Sequence, residues 1–355
     1  MGLLVDEAFI QAEEQRSKLS ISDAGNIPVI DLSPLVAADG IEHSREALSG
    51  LVAKVGDACK EWGFFQVVNH GVPAELHDRV HAAAREFFAL PLEEKRRVRR
   101  SKESPAGYHD KEHTKNVRDW KEVFDFVVNE PVRIPTTAEP GEERIDSFWN
   151  QWPANPPDLR DVCQRYAKEM EKLAFKMLEL ISLSLGLHAK RLIEFFRENS
   201  SFLRLNYYPP CPNPDLALGV GPHKDPGPLT ILSQDDVGGL DVRRKRDGEW
   251  VRVKPIPNAY VINLGDMTQV WSNDAYESVE HRVSVNCTRG RLSIPFFLTP
   301  AHHVNLRPLE ELLSEGNPAR YEEYNWGRFM KERNSSNFKK LQEDNIQISS
   351  FRKVV

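Results

Sequence analysis

His223-Lys224-Asp225 sets an imidazole and a carboxylate two residues apart. Along a strand, residues i and i+2 project to the same side, so both groups can face one interior and share a metal. A second imidazole, His281, lies in Ser278-Val279-Glu280-His281-Arg282-Val283, which reads as another short strand. Two histidines and one carboxylate on one face make the three-ligand set of non-haem iron(II), with positions left for a bidentate co-substrate and O₂. An H-x-D alone is common by chance; the downstream residues make it specific. Ten residues beyond His281, Arg291-Leu292-Ser293 repeats the i, i+2 device. An inward guanidinium and hydroxyl suit a carboxylate, and a buried arginine without an acid partner is costly. A keto acid that also chelates the metal meets both demands.

The residues around these motifs match a known family. They are Ile27-Pro28-Val29-Ile30-Asp31-Leu32, the run from Trp62 to Val72 (WGFFQVVNHGV), Asn206-Tyr207-Tyr208-Pro209-Pro210-Cys211-Pro212, Gly238-Gly239-Leu240 and Glu280-His281-Arg282-Val283. On them the chain resembles the plant-type 2-oxoglutarate/Fe(II)-dependent dioxygenases, the group that includes flavonol synthase, anthocyanidin synthase and the gibberellin oxidases. The resemblance implies a mainly β fold with flanking helices: a double-stranded β-helix (jelly roll) core, an N-terminal α/β extension and a long backing helix. It implies Fe(II) as cofactor, 2-oxoglutarate and O₂ as co-substrates, and ascorbate in support. Asn206 and Tyr208 would add polar contacts to the 2-oxoglutarate end. Lys224 stands where the family often has threonine, and should point away from the metal. The segment Tyr324-Asn325-Trp326-Gly327-Arg328-Phe329 resembles one branch of the family without naming a substrate.

The expected reaction is oxidation of a small, mostly apolar specialised metabolite or hormone by hydroxylation, desaturation, ring closure or dealkylation. One alternative is a family oxidase that does not use 2-oxoglutarate, as in ACC oxidase or isopenicillin N synthase, with Arg291 and Ser293 on a substrate carboxylate. Another is a non-catalytic sensor or partner protein; such proteins usually lose a ligand, and none is lost here.

The elements that must carry these residues can be read from pattern. Residues 1–26 are a polar lead-in, 27–130 an N-terminal module, 131–198 a linker and long helix, 199–303 the catalytic region and 304–355 a helical tail. In the N-terminal module, 27–32 reads as an edge strand, 44–63 as a helix ended by Gly63, 64–69 as a strand and 74–88 as a helix. Residues 101–118 read as a loop, 120–128 as a strand and 131–157 as a long connection. From Asp158, with Asp158 or Asn155 as cap, Val162, Tyr166, Met170, Leu173, Met177 and Leu180 form the stripe of a long helix. After residue 200, short apolar runs alternate with Gly, Pro, Asn and Asp turns, the texture of a sandwich or barrel.

Strand alternation places Arg204 beside Asn206 and Tyr208, and Phe297 beside Arg291 and Ser293. By position relative to the family's motifs, Val123, Asp125 and Tyr108 line the opposite wall. An inward Arg204 needs an anion: either Asp125 supplies it, or a substrate acid does.

Bulk composition excludes other classes. The chain has 355 residues, is 40% hydrophobic and carries a net charge of −6, so neither a nucleic-acid surface nor a disulfide scaffold is expected. The basic run Lys95, Arg96, Arg97, Arg99, Arg100 and Lys102 reads as the solvated end of a helix. Cys59, Cys163, Cys211 and Cys287 form no C-x-x-C pair and read as free thiols. No run approaches the ~20 apolar residues of a membrane span, and the first twenty residues are too polar for a signal peptide. A cytoplasmic monomer acting on a small molecule is expected. His70 reads as structural, His77, His81, His109 and His113 as surface residues, and His302-His303 as a solvated pair.

Overall fold

Along Phe202–Tyr208 the side chains alternate: Leu203 and Leu205 are fully buried against the helical layer, while Arg204, Asn206 and Tyr208 face the opposite way. A computed structural model of the chain describes residues 5–16, 27–37, 46, 48–101, 104–135, 145–334 and 346–353. The strands that matter for the site are β1 (Val29–Asp31), β2 (Phe64–Val68), β3 (Gly107–His109), β4 (Glu122–Val127), β5 (Phe202–Tyr208) and β6 (Leu218–His223), followed by β7 (Leu229–Gln234), β8 (Leu240–Arg243), β9 (Trp250–Arg252), β10 (Tyr260–Leu264), β11 (His281–Ser284) and β12 (Arg291–Leu298). They form two sheets, one in the order β1-β2-β10-β7-β12-β5-β4-β3 and one in the order β6-β11-β8-β9. Neighbours are antiparallel except β1 with β2. The sheets close on each other through Phe64, Val261 and Leu232 from the larger and Leu240 and Val242 from the smaller. This is the expected jelly roll.

Helices α1 (Ser49–Glu61), α2 (Ala74–Ala89) and α3 (Leu159–Ser184) cover the outer face of the larger sheet. The α3 stripe expected from spacing is buried along its whole length. Each such side chain contributes roughly 1.5–3 kcal/mol on burial, so the stripe fixes the sheet from behind and leaves its inner face free for chemistry. Asp158 occupies the N-cap position of α3 but makes no side-chain cap bond. Gly63 takes φ +66, which turns the chain from α1 into β2. The short helix α4 (Asp266–Trp271) comes directly after β10.

Several expectations change. The polar stretch after residue 100 is not one loop: it holds β3 and the short pair His113–Thr114 with Val117–Arg118. The connection after 131 contains a two-stranded ladder, Val132–Pro135 with Ile145–Phe148. The basic run is not uniformly solvated. Arg96 and Arg97 do face water, beside Glu93 and Glu94, but Lys95 and Arg100 are buried in ion pairs with Glu122 and with Glu112 and Asp125; Lys102 lies outside the described residues. His81 and His109 are buried rather than on the surface, and of the expected solvated pair only His303 is exposed, His302 being half-buried. His70 receives the Val72 N–H at 3.1 Å and lies 2.7 Å from the Asn258 carbonyl, a structural role. The lead-in is docked where described: Phe9 packs on Trp120, and the carbonyls of Gln15 and Arg16 accept from Arg282. In the tail, the described α-helix is α5 (Trp326–Asn334), preceded by two short paired strands and a 3-10 turn; 335–345 lie outside the described residues.

Candidate metal and co-substrate site

β6 ends at His223, so Asp225 is not on the strand as the i, i+2 argument assumed; it comes in the loop that leads into β7. The loop itself brings Asp225 back. His223 pairs across the ladder with His281, their rings 4.2 Å apart. The Nε2 atoms of His223 and His281 lie 3.6 and 3.7 Å from Asp225 Oδ1, and one ligand atom from each residue falls within 4.8 Å of the others. That spacing suits three ligands around one cation.

Hydrogen bonds decide which atoms are free to ligate. His223 Nδ1 lies 2.8 Å from the Gly221 carbonyl, and His281 Nδ1 lies 3.3 Å from the Val279 carbonyl. A carbonyl only accepts, so Nδ1 carries the proton of each neutral ring and Nε2 is the nitrogen left to ligate. Asp225 Oδ2 accepts from Thr230 Oγ1 at 2.6 Å and Asn263 Nδ2 at 2.8 Å, which leaves Oδ1 for the shared centre. Burial, reinforced by His281, pushes His223 down to about 3, so its lone pair is available at neutral pH. Burial alone would raise the Asp225 carboxyl; His281, His223 and the two donors outweigh it and bring it below the usual carboxylate value. The Asp225 loop is held from below. Gly265 is required there, since a Cβ would sit 2.1 Å from the Gly227 carbonyl and 2.5 Å from that of Asp225.

Beyond the triad, β5 and β12 carry four polar side chains on one face. Arg291 registers with Tyr208 and Ser293 with Asn206. Arg291 is 2% exposed; its Nη2 donates to Gln234 Oε1 at 3.1 Å, while its buried Nε and Nη1 have no partner among the described residues. Asn206 donates weakly to Ser293 Oγ at 3.4 Å, and its own Oδ1 is likewise unpaired. Orphaned buried donors are rare, and a cationic fork in that state fits an acid placed between it and the triad. The Arg291 guanidinium lies 5.0 Å from the centre of the Tyr208 ring. Gly219 lets that ring press against β6, because a Cβ there would fall 2.5 Å from Tyr208 Cδ1.

The family model for the 2OG-Fe(II) oxygenase superfamily matches residues 199–300, and the model described as the N-terminal part of the non-haem dioxygenase in morphine synthesis matches residues 27–155. Jasmonate-induced oxygenase 2 of Arabidopsis thaliana is 40% identical over 303 residues, which cover 84% of this chain and 76% of that protein. The chain belongs to the 2-oxoglutarate/Fe(II)-dependent oxygenases. Within that family, flavanone 3-dioxygenase 2 of Oryza sativa subsp. japonica is 38% identical over 333 residues, 91% of this chain and 88% of the relative. The crystal structure of JOX2 in complex with 2OG, Fe and JA superposes with a TM-score of 0.77 at 36% identity, covering 92% of this chain and 88% of that one.

The side chains expected to line the oxygenase's substrate wall separate. Val123 registers with Asn206, and Asp125 with Arg204, so both lie on the inner face. Phe297 is also inward, stacked on Phe202 at 4.7 Å. Tyr108 is not: it registers with Phe124, packs near Phe87 on the helical side and donates to Glu122 at 2.8 Å. Placing it on the wall ignored the period of two. Arg204 finds its acids within the protein, in Asp125 and also in Glu112. Sequence reasoning missed Glu112, along with Thr230, Asn263 and Gln234. Thr230 and Asn263 are polar residues inside apolar strands, which is the signal that could have found them. Glu112 had none, being one acid in a polar stretch. Among the described residues, no helix is long and apolar enough to cross a membrane.

Proposed function

We propose that His223, Asp225 and His281 hold Fe(II), that Arg291 with Ser293, Asn206 and Tyr208 holds the distal carboxylate of 2-oxoglutarate, and that the prime substrate lies on the inner face toward Phe297, Val123 and Arg204. The observation that carries this reading is the shared orientation of two Nε2 atoms and one carboxylate oxygen, with an arginine that has two buried donors unpaired among the described residues. When bound, iron(II) with 2-oxoglutarate and O₂ supplies the oxidising power: one oxygen atom leaves in succinate, CO₂ is lost, and the other oxygen serves oxidation of the substrate.

The chain's own residues bind and orient. The Gly221 and Val279 carbonyls fix the imidazole tautomers, so in each neutral ring Nε2 is the nitrogen turned to the metal. Thr230 and Asn263 hold Asp225 by one oxygen and leave the other to ligate. Arg291 sets the length of the co-substrate cleft, since its guanidinium is tethered by Gln234 and backed by Tyr208. The stacked Phe202 and Phe297 offer a ring-shaped, water-excluding surface.

The names of the relatives (jasmonate-induced, flavanone and gibberellin enzymes) support a plant hormone or specialised metabolite as substrate class. The net charge of −6 supports a protein that does not bind nucleic acid, and we place it as a monomer in the cytoplasm. The test is a mass-spectrometric screen of phenolics, terpenoid acids and alkaloids with iron, ascorbate and 2-oxoglutarate. Stoichiometric succinate with oxidised product is expected. Product without succinate would give the oxidase reading instead, and iron binding with no turnover of any compound would favour a sensor.

A further inference from the structure

Resting on the assignment of the inner face beside Asn206 to the prime substrate, we infer that this substrate is neutral: a ring-bearing molecule that offers Arg204 a carbonyl or hydroxyl oxygen rather than a carboxylate. A guanidinium has five N–H donors. Arg204 gives Nε to Asp125 Oδ1 at 2.6 Å and Nη2 to Asp125 Oδ2 at 2.8 Å. It gives Nη2 again to Glu112 Oε1 and Nη1 to Glu112 Oε2, both at 3.0 Å. Among the described residues that leaves a single Nη1–H. Arginine grips a carboxylate through two parallel N–H groups, and the faces that could form such a fork are already closed by acids. One N–H is enough for a neutral oxygen, and the carboxylate oxygens beside it can accept from a substrate hydroxyl.

Charge points the same way. Arg100 reaches the same two acids, at 2.7 Å to Glu112 and 3.1 Å to Asp125, so two guanidiniums face two carboxylates. Lys121 and Asp119 add one charge of each sign, with Lys121 Nζ 2.9 Å from Glu112 and 3.3 Å from Asp119. The wall therefore carries charged groups but no excess of positive charge. A substrate carboxylate placed there would lose its water next to two carboxylates and gain no cation in return. The nearby inward surface is apolar: half-buried Phe202 stacked on half-buried Phe297. Arg333, a cation near the metal loop, donates to the Lys224 carbonyl at 2.8 Å and faces Asp266.

The experiment compares 1-naphthylacetate with its methyl ester by calorimetry. It uses the full chain loaded with Mn(II) and 2-oxoglutarate under anaerobic conditions. In the wild type the ester should bind at least tenfold more tightly than the acid. In Glu112→Gln/Asp125→Asn, which frees the guanidiniums, the acid should gain tenfold or more relative to the ester. Should that variant not fold, Glu112→Gln alone should move the ratio in the same direction by a smaller factor. An acid bound as tightly as the ester in the wild type, an ester that does not bind, or a ratio unmoved in the folded variant would each overturn the inference. Binding of 2-oxoglutarate is read in the same samples; its failure in the wild type would sink the site assignment rather than the choice of substrate charge.

Discussion

Thr230 Oγ1 donates to Asp225 Oδ2 at 2.6 Å, from the strand that begins four residues after this carboxylate. The bond selects which oxygen of Asp225 faces the histidines, so with Asp225 as the proposed ligand Thr230 would act on the metal through it. Partners of this kind are worth about 10–100-fold in metal affinity when removed. Thr230→Val, nearly the same shape, should weaken Fe(II) binding by about tenfold, at the low end because Asn263 remains. Anaerobic Fe(II) titration checks this, and an unchanged affinity would mean that Asn263 alone sets the carboxylate.

Arg291→Gln tests the co-substrate end separately from the metal. Charge-assisted hydrogen bonds contribute roughly 1.5–3 kcal/mol, and each 1.4 kcal/mol is about tenfold. The concentration of 2-oxoglutarate needed for half-maximal turnover should rise by about one to two decades, while Fe(II) binding stays near its wild-type value. If 2-oxoglutarate saturation were unchanged and substrate saturation altered, Arg291 would be a substrate residue and the oxidase reading would gain.

Most of the architecture could be read from the chain because its strands behind the long helix alternate cleanly. Residues 202–208 and 291–298 are strands over the spans that their apolar pattern gives, and the α3 stripe is buried as its spacing requires. The triad was legible as a set of residue types, but not its geometry: Asp225 reaches the site from a loop, and no local pattern encodes that return. The stretch around Glu112 failed for a different reason. A polar segment that folds inward is indistinguishable in composition from one that faces water, and only the pairing of Glu112 with Arg100, Lys121 and Arg204 makes its burial tolerable. Burial, with Arg204, Lys121 and Arg100 outweighing it, leaves that carboxyl well below its usual range. The same blindness put His81 on the surface, although its face of α2 is the one that packs on the sheet.

His81 gives a pH prediction. It bonds Ser233 Oγ at 2.6 Å beneath α2. Burial first, then His77, Arg85 and Arg291, pushes it down to about 3 from its ordinary 6.5. The folded protein therefore keeps His81 neutral between those values, while the unfolded chain takes up a proton. Stability must rise with pH across about 3–6.5 and fall as the solution is acidified. His109 and His302, both lowered to about 4 chiefly by burial, add to the same slope. In His81→Gln the dependence of Tm on pH between 4 and 6.5 should become shallower by the share of one proton; an unaltered slope would show that His81 is protonated in the folded state.

Arg333 on α5 ties the tail to the loop that carries Asp225. It donates to the Lys224 carbonyl at 2.8 Å and lies 3.5 Å from the buried carboxylate of Asp266, whose backbone N–H in turn donates to the Asp225 carbonyl at 2.8 Å. Arg333→Ala removes the cation beside Asp266, at a cost of roughly 1–3 kcal/mol, and loosens the loop that presents Asp225. Urea unfolding should show the loss, and iron affinity should fall severalfold, with 2-oxoglutarate affinity falling in step. A variant with wild-type stability would mean that Asp266 is neutral in the folded protein, as the upward push of burial on its carboxyl would allow.

The most direct test of the metal centre is the iron content of His281→Ala against wild type, measured anaerobically after loading with Fe(II) and 2-oxoglutarate, with circular dichroism run alongside. Wild type should hold one iron and one 2-oxoglutarate per chain. His281→Ala should keep the fold, since the main core lies between the larger sheet and the helices and includes no residue of the sheet that carries His281, and should lose most of both. A folded His281→Ala that retained a full complement of iron and near-normal turnover would contradict the assignment of His223, Asp225 and His281 as the metal centre.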